Sequence, residues 1–270
     1  SVEWNILKGL TFKSDMMQNM SFSDQNRVWG YLTSVAQSNN KLPVAEITNK
    51  RGDKYQFTNV LTYGFSKGKS NYSLLAGQEL NHSINKYQYV KNRYFPQNIK
   101  SELAIVNMNL GDPWISEASI SCPDRTASFF GQVSYDFDRK YLASATMRAD
   151  GSTKFAQGKQ WGYFPSISGA WIMSKEGFMQ SQTIFSLFKL RAAVGKAGNN
   201  RIDDDLWRYL YVINATGGPE WTNSPEAGEK YYANSGGSQL ANKNIKWETT
   251  LTRNFAMDLG LFNDIITITP

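Results

Sequence analysis

Cysteine and histidine are almost missing from this chain of 270 residues, which has one of each, Cys122 and His82. One cysteine excludes an intrachain disulfide and a cysteine-built metal site. One histidine excludes a two-histidine metal site and leaves most triad chemistry without its parts. Proline is scarce at eight residues, so this is not a disordered Pro/Gly-rich chain. The longest run of strongly apolar side chains is four residues, Ala170 to Met173, against about 20 for a spanning helix. A helical membrane protein is therefore excluded. A β-barrel membrane protein is not, because alternating strands average out as polar. The formal net charge is +6, but Lys and Arg are scattered with no basic block, which reads as a mildly basic solvated surface and not as a nucleic-acid footprint.

Aromatic residues are abundant, at 14% with eight Trp, 14 Tyr and 15 Phe, and 21 Gly accompany them at only 19% charge. This balance favours β-architecture over helical bundles. Period-2 alternation carries the same message. In Tyr55 to Phe65, the residues Tyr55, Phe57, Leu61, Tyr63 and Phe65 share one face, with Gln56, Thr58 and Thr62 on the other. In Ser128 to Phe137, Phe129, Val133, Tyr135 and Phe137 oppose Gln132, Ser134 and Asp136. Tyr141, Ala143, Ala145 and Met147 then oppose Ser144, Thr146, Arg148 and Asp150. Near the C-terminus, Leu251, Phe255, Met257 and Leu259 oppose Thr250, Thr252, Asn254 and Asp258.

These runs are nearer the roughly 9–11 residues of a tilted membrane strand than the 5–6 of an ordinary globular strand. Ten strands are expected, near 2–7, 10–16, 55–65, 71–81, 128–137, 141–150, 161–173, 187–195, 247–261 and 265–270. Their connections alternate: Lys8-Gly9, Lys67-Gly68-Lys69, Asp138-Arg139-Lys140 and Asn263-Asp264 are short, whereas 17–54, 82–127 and 196–246 are long, with 151–160 only moderate and 174–186 somewhat extended for a turn. Outer-membrane barrels segregate short periplasmic turns from long extracellular loops in this way, and soluble sandwiches have no reason to. Aromatics at strand ends (Tyr55, Phe65, Phe137, Tyr141, Trp161, Tyr163, Trp247) fit two interfacial girdles. The expected fold is all-β: an antiparallel up-and-down transmembrane β-barrel segment with long extracellular loops. Both ends of the chain look cut, so the whole of 1–270 is expected to be one piece of a larger barrel domain.

Chemistry-bearing clusters are few. Asp203-Asp204-Asp205 has the charge for Ca²⁺ but lacks the spaced ligands and glycine of an EF-hand, and reads as a solvated run. Gly195 to Asn199 lacks the Gly-Lys-Ser/Thr of a phosphate loop. No catalytic residue, metal ligand or cofactor site is assigned, and no enzyme is expected. Aromatics in polar, Gly-rich loops are the stronger candidates, because flat rings stack on sugars and pack against proteins. Trp114, Trp207, Trp221, Tyr231 and Tyr232 are the substrate- or partner-contact candidates. The competing reading is that they only pack the loops together.

Several motifs together resemble one family. They are Ser128-Phe129-Phe130-Gly131-Gln132-Val133-Ser134-Tyr135, Asp138-Arg139-Lys140-Tyr141-Leu142, and Arg148-Ala149-Asp150-Gly151-Ser152-Thr153-Lys154-Phe155. The series continues with Trp161 to Trp171, Leu190 to Asn199, Asn244 to Thr250 and Gly260 to Asn263. In order and spacing they are similar to the SusC/RagA-type TonB-linked outer-membrane transporters of Bacteroidetes. The resemblance is dense over 128–264 and rests on strand rhythm over 1–127.

The resemblance implies a TonB-dependent importer in the cell outer membrane, of which the plug domain and the remaining barrel strands are not in this sequence. It implies a SusD-like surface lipoprotein as lid, the TonB complex as energy source, outer-membrane lipid around the wall, and an oligosaccharide substrate. A peptide substrate is the alternative within the family, and nucleic acid is not a partner. Arg148, Asp150, Gln132 and Asn254 are expected to face the lumen. A β-rich surface glycan-binding module without transport is the reading from another class.

Overall fold

The computed structural model describes residues 1–208 and 240–270. Among these, eleven strands form one antiparallel sheet. They are β1 (Val2–Leu7), β2 (Leu10–Trp29), β3 (Val44–Lys67), β4 (Ser70–Arg93), β5 (Asp112–Ile120) and β6 (Asp124–Phe137). Then come β7 (Tyr141–Ser152), β8 (Trp161–Ile172), β9 (Phe185–Asn199), β10 (Glu248–Leu261) and β11 (Ile266–Ile268). Each strand neighbours the next in sequence except that β5 pairs β4 off the main path, which runs from β4 to β6.

Two expectations are corrected. The segments 17–54 and 82–127, expected as loops, are largely strand. β2 continues to Trp29 and β3 begins at Val44, leaving 30–43 with the short helix α1 (Ser34–Gln37). β4 continues to Arg93, and β5 is an eleventh strand, preceded by α2 (Ser101–Val106). Most of β2 beyond Met17 is exposed whichever way its side chains point, so no alternation is written into it. The backbone ladder, which is blind to side-chain polarity, holds such a strand.

The chain divides into two compact units. Unit 1 comprises Ser1–Asp15, Phe57–Leu80 and Arg125–Pro270; unit 2 comprises Met16–Gln56 and Asn81–Asp124. In unit 2, Ala45, Phe95 and Ala104 form a small fully buried cluster, with Val28, Ile99, Ile105 and Met108 against it. Thr33 caps α1 by accepting from the Ala36 amide at 3.3 Å.

In unit 1 the expected hairpins form, and their short turns lie at one common end. The Asp138 amide donates to the Lys69 carbonyl at 2.7 Å, and Gly64 donates to Gly9 at 2.8 Å. Further along, Ile172 donates to Lys140 at 2.8 Å and Phe262 to Ile184 at 2.9 Å. Asp138 and Arg139 both have φ of +54°, as a two-residue primed turn matched to strand twist requires.

Directly opposite residues of an antiparallel ladder share a face, and successive residues alternate. The pairs Phe129↔Ala149, Val133↔Ala145 and Tyr135↔Ala143 therefore share one face. Ile167 and Gly169 extend it on β8, opposite Ala145 and Ala143, and on β9 and β10 come Val194, Ala192, Leu190, Phe255, Met257 and Leu259. The other face carries Gln132↔Thr146, Ser134↔Ser144 and Phe130↔Arg148. Both face assignments from the sequence agree with this register.

Across β6–β8 the apolar face is the more exposed one. Val133 is 50% and Phe255 83% exposed, whereas Ser128 on the polar face is 3% exposed. A water-soluble sandwich buries the opposite set. Aromatic rings border the apolar face at both ends. Phe65, Tyr72 and Tyr135 are in ring contact at 4.7 and 5.0 Å. Phe137, Tyr141 and Trp171 continue the border at 6.4 and 6.3 Å. Phe129 and Trp161, 6.1 Å apart, mark the other border. Between Tyr141 and Gly151, the partner of Trp161, β7 rises about 33 Å at about 3.3 Å per residue. At a strand tilt of about 40° that is about 25 Å of height, the usual apolar band of an outer-membrane barrel.

Candidate functional site

The polar face of unit 1 is built from short hydroxyl and amide side chains laced by ion pairs. Arg148 Nε donates to both oxygens of Asp150, at 2.7 and 3.0 Å. These residues are two apart on one strand, so they lie on one face by covalent geometry alone. Arg148 Nη2 also lies 3.9 Å from Glu79 of β4, and its guanidinium lies 5.4 Å from the Phe130 ring. Asp258 on β10 accepts from Arg191 at 2.7 Å and lies 3.9 Å from Lys189, both on β9. Gln132 donates to the Ser134 hydroxyl at 3.2 Å, and Ser144 and Ser168 share a bond of 2.8 Å.

A recess of about 450 Å³ opens between these groups, lined by Gln132, Ser134, Ser144, Ser168, Arg191 and Asn254. Of the four lumen-facing candidates, Gln132 and Asn254 thus meet in one recess, while Arg148 and Asp150 form a separate ion pair. Such a surface offers many weak hydrogen-bond donors and acceptors side by side.

In unit 2 a second cluster forms around Glu46, which is buried. It accepts from the Tyr89 hydroxyl at 2.8 Å and lies 3.5 Å from Arg27 and 3.9 Å from Lys91. Lys91 Nζ in turn sits 4.9 Å from the Trp29 ring and 4.8 Å from Trp114. Arg93 lies 5.2 Å from the same Trp114 ring and 4.7 Å from Tyr94. Trp114 is thus not a loose loop residue: it stands on β5, held by two cations, and remains 45% exposed. Sequence reasoning missed Lys91, Arg93 and Glu46, which no spacing connects to Trp114. The period-2 run Tyr87, Tyr89, Lys91, Arg93 was the available signal.

The other candidates are scattered. Trp207 belongs to unit 1, with Arg208 4.4 Å from its ring and its indole nitrogen buried with no hydrogen-bond partner among the described residues. Trp221, Tyr231 and Tyr232 lie outside the described residues. In the acidic run, Asp204 pairs with Lys154 at 3.5 Å and Asp205 with Arg208 at 3.3 Å. Among the described residues no cluster of three His, Cys, Asp or Glu is placed to hold a metal ion. Cys122 is an exposed free thiol.

An antiparallel sheet with an exposed apolar face, aromatic borders and an ion-paired polar face is the wall of an outer-membrane β-barrel. No protein-family model matches the chain. It is 38% identical over 141 residues to the TonB-dependent receptor SusC of Bacteroides thetaiotaomicron, covering 52% of this chain and 14% of that protein. It is 30% identical over 208 residues to the TonB-dependent receptor P3 of Formosa agariphila, covering 76% and 19%. The structure of the RagAB peptide transporter superposes with a TM-score of 0.84 at 20% identity, over 99% of this chain and 28% of that one. The chain belongs to the SusC/RagA type of TonB-dependent receptors. It spans less than one fifth of the length of both curated relatives.

Proposed function

We propose that this chain forms part of the barrel wall of a TonB-dependent outer-membrane importer that takes up oligosaccharides beneath a SusD-like surface lipoprotein. The observation that carries the reading is the reversed polarity of unit 1: across β6–β8 its apolar face is the more exposed one and is banded by aromatics, while its polar face is ion-paired. An exposed apolar face fits lipid, and a face of Ser, Thr, Gln and Asn with balanced charges fits a hydrated path for a sugar. The short turns of unit 1 belong to the periplasmic end and its connection 153–160 to the extracellular end. Arg148, Asp150, Gln132 and Asn254 line the lumen. Trp114 contacts substrate or lid through its exposed ring surface, and Trp207 is retained as a weaker candidate beside it. The oligosaccharide class follows the family resemblance read from 128–264, and the likeness to the peptide transporter is one of fold.

The test is uptake by cells producing the full-length protein together with its lipoprotein partner. Labelled oligosaccharides are expected to accumulate and to stop accumulating when a protonophore collapses the energy supply to TonB. Accumulation of labelled peptides in place of sugars moves the protein to peptide import. Surface binding without energy-dependent accumulation makes it a glycan-binding module.

A further inference from the structure

Two cations break the apolar face of unit 1. Arg253 on β10 stands opposite Val194, and Lys196 on β9 stands opposite Leu251. By the register they share the face of Phe255 and Ile167, as diagonal neighbours, and both side chains are exposed. Among the described residues, the neighbouring positions of that face, Leu251, Phe255, Val194, Ile167 and Pro165, are apolar and carry no charge. A lone Arg or Lys at mid-depth on a lipid-facing strand is costly. Two side by side also repel each other.

Their position tells what relieves that cost. Lys196 lies three residues from the loop end of β9 at Asn199, and Arg253 five from the start of β10 at Glu248. Long aliphatic stems let both charged heads rise toward that end of the sheet. From Arg253 a furrow of about 740 Å³ runs across the strands, floored by Ala143, Gly169 and Ala192 between Tyr135 and Phe255. Small residues in consecutive strands leave a trough for a chain to lie in. A paired cationic head above an apolar trough has the shape and charge of a receptor for an anionic amphiphile.

We infer that Lys196, Arg253 and the Ala143–Gly169–Ala192 furrow bind one phosphorylated, acylated glycolipid of the lipid A type. The two cations hold a phosphate, and an acyl chain fills the furrow. The choice of glycolipid rests on the proposed orientation, which turns the loop end to the outer leaflet of an outer membrane.

The experiment uses the full-length protein purified in mild detergent, titrated with lipid A and with dephosphorylated lipid A, and read by native mass spectrometry. The wild type is expected to bind the phosphorylated form at least tenfold more tightly. In the double variant Lys196→Ser, Arg253→Ser that preference is expected to vanish, and in Gly169→Leu, which fills the furrow and keeps both charges, both forms should bind more weakly. Equal binding of the two forms by the wild type, or an unchanged preference in the double variant, overturns the proposal. So does a change of protomer number in the double variant with lipid binding unaltered, which would assign the cations to a contact between copies. Uptake measured in the same cells is expected to stay normal in the variants. Failure of the wild type to accumulate substrate, with its lipid preference intact, sinks the transport reading alone.

Discussion

Tyr141, the first residue of β7, donates its hydroxyl proton to Glu176 at 2.6 Å and so fastens the β8–β9 connection to the turn end of a neighbouring hairpin. The same carboxylate accepts from the Trp171 indole at 3.2 Å and from Lys140 Nζ at 3.1 Å. These donors, the Tyr141 hydroxyl first, hold the Glu176 carboxyl below the usual glutamate range.

A carboxyl whose pKa is depressed in the folded state stabilises it fully above the unfolded value, about 4.3, and loses that contribution as pH falls through the folded value. The fastening at Glu176 should therefore hold at neutral pH and release only in acid, below the ordinary glutamate range. Trp171 reports on it directly. The fluorescence difference between wild type and Trp171→Phe should be flat from pH 7 to 5 and change below that, whereas in Glu176→Gln it should be flat throughout. A transition centred near pH 6 would contradict the assignment.

The face assignment makes a sharp pair. Val133 and Ser134 are adjacent on β6 and point to opposite faces. In the full-length protein, Val133→Arg should cost about 2–4 kcal/mol of folding stability in lipid vesicles. Ser134→Arg, facing polar neighbours, should cost much less. Comparable losses at both positions would mean that the register is inverted or that the wall does not meet lipid.

Gly198 is fixed by an aromatic ring: a Cβ there would collide with the side chain of Phe164, which also lies 5.4 Å from Trp247. Trp247 is itself tied down by its indole bond of 2.8 Å to the Gln160 carbonyl. The ring cannot withdraw without disturbing that cluster. Gly198→Ala should therefore cost about 1–3 kcal/mol, as overpacking does, measured by urea unfolding of the full-length protein. Gly158, where nothing lies within 4 Å, has a φ of +83° and should respond through backbone strain instead. Recovery by Phe164→Leu is then expected for Gly198→Ala and not for Gly158→Ala.

For Trp114 the outcome separates binding from packing. Trp114→Ala should lower sugar uptake or lid affinity by at least fivefold while heat-modifiable gel mobility stays normal. Lys91→Met, which keeps the stem and removes the charge over both Trp29 and Trp114, should lower it in the same direction. A parallel loss of assembled protein would make the ring a structural one.

Much of unit 1 was legible because successive side chains on a strand point to opposite faces, so a period of two in the sequence is already a statement about two surfaces. Ser128 to Asp150 and Leu251 to Leu259 gave their strands, their faces and the turn between β6 and β7 in this way. The Arg148–Asp150 pair was readable for the same reason, being two residues apart. Unit 2 was not. Residues 17–29 carry polar groups on both faces, and only pairing with the adjoining strand tells them from a loop.

By itself, then, the sequence determined the features that local geometry dictates: an antiparallel all-β chain, one apolar and one polar face, and short turns gathered at one end. Tertiary structure decided whatever depends on register between segments far apart in the chain. It brought Glu79 to Arg148, Lys91 and Trp114 to the surroundings of Glu46, and Arg253 beside Lys196 on the apolar face. A backbone ladder pairs amides whatever side chains they bear, so such encounters leave no pattern along the chain and appear only when the strands are laid together.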